Sequence, residues 1–135
     1  MSYEIYIQKF ANGESDFIPF NELNLVLQKY GRIEEGDFGF EFISAVGDVC
    51  DCAFLSGETL NSITGVSFER PTASDILPNI IFDLLSIENT CFFGTDLQYC
   101  QSRTEMKSHL PESILNASEN GLEIITTPYE AWPLR

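Results

Sequence analysis

The sequence predicts one α+β domain over 1–135: a mainly antiparallel sheet with two main helices packed on one face. Three observations predict it. Several short segments alternate apolar and polar residues with period two. Two other segments repeat apolar residues at helical spacing. Eleven Phe, five Tyr and one Trp, within a 44% apolar composition, supply a core that a disordered acidic chain would lack. The expected order is β-α-β-β-β-α-β-(α)-β.

The first strand is "YEIYIQKF", with Tyr3, Ile5 and Ile7 on one face and Glu4, Tyr6 and Gln8 on the other. "ANGES" carries the Asn-Gly turn signal. Asn21 is placed to cap a helix from Glu22 to Tyr30, where Leu23, Val26, Leu27 and Tyr30 share a stripe and Gly31 follows the end. Phe38, Phe40 and Phe42 then alternate, which predicts a strand to about Ala45. A second strand is expected over Val49–Leu55, with Cys50, Cys52 and Phe54 on its core face. "SITGVSFER" supplies a third, and short links between the three predict an antiparallel meander. Ser74 and Asp75 open the second helix, and Pro78 falls in its first turn, where a missing N–H is tolerated. Its residues Leu77, Ile80, Ile81, Leu84 and Leu85 leave a narrow polar stripe at Asn79, Asp83 and Ser86, the pattern of a largely buried helix. "TCFFG" reads as an apolar strand, Asp96–Arg103 is ambiguous, "HLPESILNASENG" holds a short helix, and "LEIITT" is a last strand.

Charge narrows the function. Twenty-one acids against seven bases give −14. Nucleic acids and anionic lipid surfaces would repel such a chain, since phosphate neutralisation by Lys and Arg supplies most nucleic-acid affinity. The opening residues lack a basic, apolar secretory leader, and no apolar run reaches the ~18 residues of a membrane span. A cytoplasmic protein with reduced cysteines is expected.

Catalytic signals are absent from the pattern. His109 is the one histidine, so any Ser–His or Cys–His site must use it, and it stands apart from the cysteines. Cys50, Cys52, Cys91 and Cys100 lack the knuckle spacing of a zinc site. "EEGDFGFE" lacks the alternating ligands of a calcium loop, and the glycines are too scattered for a phosphate loop. The expectation is a protein that is not an enzyme and carries neither cofactor nor metal.

The acidic run is the remaining lead. Between Arg32 and Arg70 stand eight acids and no Lys or Arg. Local ion pairs cannot neutralise them, and seven bases in the whole chain are too few to do so from afar. Such a field steers a basic partner and accelerates its association. Glu34, Glu35, Asp37, Glu41, Asp48 and Asp51 are the candidate contact residues, with Glu41 expected exposed on the strand face opposite Phe40 and Phe42. Tyr129 and Trp132 are candidate aromatic anchors.

The phrases "YEIYIQKFANGE", a capped helix ending in "YG", "GFEF", "ITGVSFERP" and "HLPESIL" span most of the chain. In them it resembles small acidic immunity proteins of bacterial polymorphic or contact-dependent toxin systems. That family shares no catalytic motif, so no functional residue transfers to a position here. The resemblance implies binding and neutralising a cognate toxin, expected to be basic and nuclease-like, by an acidic protein that is a monomer or homodimer. The alternative is an effector-binding chaperone, because the helix–three strands–helix order also resembles acidic type III secretion chaperones. Those chaperones, however, begin with a helix.

Overall fold

A computed structural model describes residues 3–37, 39–47, 49–72 and 75–131. Phe38, Asp48, Ser74 and Trp132 lie outside the described residues. The elements are β1 (Glu4–Ala11), β2 (Glu14–Ser15), α1 (Phe20–Leu27), β3 (Gly31–Gly36), β4 (Gly39–Ser44), β5 (Cys52–Leu55) and β6 (Gly65–Glu69). They continue with α2 (Leu77–Leu84), β7 (Thr90–Gly94), β8 (Cys100–Ser102), a 3-10 turn (Lys107–His109), α3 (Glu112–Ala117), β9 (Leu122–Ile124) and a second 3-10 turn (Pro128–Glu130). The sheet runs β3-β4-β5-β6-β1-β7-β8-β9, with β2 folded back on β1. Its pairs are antiparallel except β8–β9. The fold is thus α+β as the alternation predicts, and β4-β5-β6 form the expected meander.

The helices cover one face. Ile5 and Ile7 of β1, Val66 and Phe68 of β6 and Phe92 of β7 are buried there with Leu23 and Leu27 of α1 and Ile80, Ile81 and Leu84 of α2. Each buried side chain of this size contributes about 1.5–3 kcal/mol. The Tyr30 hydroxyl donates to the Asp83 carboxylate, joining the chain after α1 to α2. Asn21 does not cap α1. The helix begins two residues earlier, at Phe20, with Pro19 at the cap position, where its fixed φ suits the entry.

The other face is covered only in part. Phe10, Cys91, Phe93 and Cys100 bury themselves against Met106 and Leu110, which flank the 3-10 turn, and Ile114 of α3. β7 is therefore covered on both sides and buried throughout, which explains its unbroken apolar run.

Two strands also depart from the sequence expectation. The stretch from Gly31 to Gly36 forms an edge strand, although its polar sequence gave no strand signal; pairing with β4 imposes the conformation. In β5 the inward residues are Ala53 and Leu55, while Cys52 is exposed and Phe54 half-buried. Register decides this: Ala53 opposes Phe68 and Leu55 opposes Val66, both on the helix-covered face. A continuous run such as C-A-F-L does not reveal which parity faces inward.

Candidate functional site

Directly opposed residues of neighbouring strands point to the same side of a sheet. Glu34 opposes Glu41, Glu41 opposes Phe54, Phe54 opposes Ser67, and Ser67 opposes Tyr6. One row therefore crosses β3, β4, β5, β6 and β1. A second row joins Cys52, Glu69 and Glu4 on the same side. Among the described residues, neither apolar cluster covers this side over β3–β6. Phe54 and Ile43 are half-buried there and belong to neither apolar cluster. The result is an apolar strip bordered by Glu4, Glu34, Glu41 and Glu69.

Neutralisation is sparse. Among the described residues the ion pairs are Arg32 Nε–Glu34 Oε1 at 2.8 Å, Arg70 Nε–Asp51 Oδ2 at 3.1 Å and Lys9 Nζ–Asp16 Oδ2 at 3.9 Å. The first two lie at the border of this face and, with both side chains exposed, contribute little stability. Glu41 enters none of these pairs and is half-buried rather than fully exposed. A Cβ at Gly36 would stand 3.3 Å from Glu41 Oε2, so that glycine leaves the carboxylate its place over β3.

The candidates selected by sequence are only partly brought together. Glu34 and Glu41 meet. Glu35 opposes Phe40 and so points to the other side of β3, although exposed. Asp37 is exposed in the β3–β4 turn, and Asp51 precedes β5. Asp48 and Trp132 lie outside the described residues. Tyr129 is 84% exposed, but the adjoining Glu130 carbonyl accepts a bond from Gln101 of β8 at 3.0 Å. That puts Tyr129 beside β8, six strands from β3. Glu4 and Glu69 carry no sequence signal for this face, and by sequence Phe54 reads as core-facing. Their alternation with buried neighbours is readable, whereas the strand register that groups them is not.

The remaining reactive residues have structural surroundings. The Tyr6 hydroxyl donates to Glu4, and that bond, with burial and the Glu4 and Glu69 charges, raises the phenol above its ordinary range. Burial first, then Cys52, Asp51 and Glu69, pushes the Cys50 thiol up to about 11. Its Sγ–H donates to the Cys52 carbonyl at 3.2 Å. A thiol held protonated is a poor nucleophile at neutral pH. Cys91 and Cys100 are buried in the second cluster, and among the described residues no three metal-ligating side chains converge. His109 Nδ1 accepts the Asn12 N–H at 3.2 Å, and the His109 carbonyl accepts Gly13 N–H at 2.9 Å. These bonds hold the β1–β2 turn, where both residues have positive φ.

Among the described residues no helix is long and apolar enough to cross a membrane. Comparison with protein-family models, curated proteins and solved structures finds no match.

Proposed function

We propose that this protein is an immunity-type inhibitor, acting in the cytoplasm, that binds a cognate basic toxin through the bare face of β3–β6. The observation that carries the reading is Glu34 opposite Glu41 on an uncovered sheet face, with Glu4, Glu69 and Phe54 alongside. Like charges directly opposed on a sheet cost about 0.2–1 kcal/mol. A partner's Lys or Arg turns that cost into attraction, and Phe54 and Ile43 give it apolar area to cover. A nuclease-like toxin needs a basic surface to hold phosphate, so an acidic face can occupy it and exclude the substrate. Interfaces of this kind gain association rate and specificity from charge, and affinity from the buried apolar centre. The chaperone alternative has less support, because β1 lies mid-sheet between β6 and β7 and the fold is organised about its opening strand.

The test is co-expression with the product of the adjacent upstream gene, expected to be toxic alone and harmless with this protein. Glu34→Lys and Glu35→Lys change net charge equally but lie on opposite faces. Glu34→Lys should slow association about tenfold or more at low salt and flatten its salt dependence. Glu35→Lys should have a much smaller effect. Equal effects would show that overall charge, not this face, governs binding.

A further inference from the structure

The ladder between β4 and β5 is short. It holds Phe40–Leu55 and Glu41–Phe54, while β4 continues to Ser44. The chain before β5 is tied to the other side: Asp51 N–H donates to the Glu69 carbonyl at 3.0 Å, and Thr72 N–H donates to the Val49 carbonyl at 2.9 Å. The strands therefore part, and a cleft of about 210 Å³ opens between them, beside the acidic face. Its lining includes the buried Val49 and Ala53, the half-buried Ile43 and the exposed Asp51 and Cys52, with Glu41 at the end where the strands meet.

We propose that this cleft receives a single arginine side chain of the basic partner, as the anchor of the interface. The inference rests on the docking reading above and adds what the partner must present. Pockets for drug-sized ligands run about 300–1,000 Å³, so this volume suits one long side chain. The apolar lining suits a methylene stem, and the Asp51 carboxylate suits the charged head, while the Glu41 carboxylate lies over β3 and adds only to the negative field around the cleft. Arg70 Nε takes Asp51 Oδ2, and its side chain and that of Asp51 are 63% and 54% exposed. A carboxylate accepts at both oxygens, so a second guanidinium shares Asp51 with Arg70 without displacing it. Arginine fits better than lysine because its planar guanidinium is weakly hydrated and loses less on entering a half-apolar slot. Buried arginines are among the residues that dominate interface energetics.

The experiment titrates the ¹⁵N-labelled protein with N-acetyl-arginine amide and with its neutral isostere, N-acetyl-citrulline amide. The expected result is saturable shifts of the Ser44, Gly47, Cys50 and Cys52 amides with arginine only. The midpoint should be on the order of 1 mM, as befits one anchor without the rest of its interface. Cys52→Phe, at an exposed position, should fill the cleft and abolish the shifts, while Cys52→Ser should keep them. Unsaturable shifts spread over the acidic surface, equal shifts with citrulline, or an unchanged midpoint in Cys52→Phe would overturn the proposal. The two readings fail separately. Protection lost on reversing Glu34 but retained on filling the cleft refutes the anchor alone. Cleft-specific arginine binding by a protein that neutralises no partner upholds the arginine site and refutes the docking reading.

Discussion

Replacing Glu41 by Gln should stabilise the free protein while weakening its function. Opposed residues on antiparallel strands hold their Cβ atoms about 4.5–5.5 Å apart, and Glu41 faces Glu34 in this way. Two carboxylates ~6 Å apart repel by about 0.7 kcal/mol in water. Arg32, 2.8 Å from Glu34, offsets part of this. The expected net gain from removing the Glu41 charge is about 0.3–0.7 kcal/mol, or a rise in Tm of roughly 1–3 °C for a chain of this size. Gln keeps the shape over Gly36, so packing should not contribute. Calorimetry at low salt and again in 1 M NaCl isolates the charge, because there the screening length falls to about 3 Å. The rise should be present at low salt and absent at high salt, and the same variant should associate more slowly with the basic partner proposed for this face. A Tm unchanged or lowered at low salt, or a rise that survives 1 M NaCl, would refute the electrostatic account of this face.

Other outcomes follow from the same geometry. A Cβ at Gly94 would lie 2.2 Å from the Tyr3 hydroxyl and 2.7 Å from that of Tyr99, which share a 2.8 Å hydrogen bond. Gly94→Ala should therefore cost about 1–3 kcal/mol, seen as a lower denaturant midpoint with an unchanged m-value. Burial, the Asp83 hydrogen bond and the Asp83 charge push Tyr30 up to about 12 from an ordinary 10. Its contribution is complete below pH 10 and is lost as pH rises from 10 through 12. Tyr30→Phe should thus cost about 1 kcal/mol at neutral pH, a deficit that urea titrations should show shrinking over that alkaline range. In native protein at pH 8, exposed Cys52 should react fast with a thiol reagent, while Cys50 and the buried Cys91 and Cys100 lag. Cys52→Ser should remove the fast phase, and two or more fast thiols would contradict the placement.

Much of the secondary structure was legible in the order of residues. The alternation of Ile5 and Ile7 with Tyr6 and Gln8 identified β1 and both its faces. The helical spacing of Ile80, Ile81 and Leu84, with Pro78 in the first turn, identified α2. β3 was not legible, because Gly31–Gly36 has little apolar content and is a strand only by virtue of β4. The acidic face was half legible. The run of carboxylates from Glu34 to Asp51 was plain, but neighbours in that run diverge: Glu34 and Glu35 point to opposite sides of one strand. Glu4 and Glu69, distant in sequence, join Glu34 and Glu41 across the sheet.

Composition and periodicity by themselves determined an α+β chain with a phenylalanine-rich core and more anionic side chains than its cations can neutralise. Tertiary structure alone decided which of those anions share a face, which half of the sheet stays bare, and where β4 and β5 separate. The reason is physical. Periodicity reports one strand's alternation between two faces, whereas a surface is assembled by register between strands, and a slip of one residue would send every side chain of a strand to the opposite side.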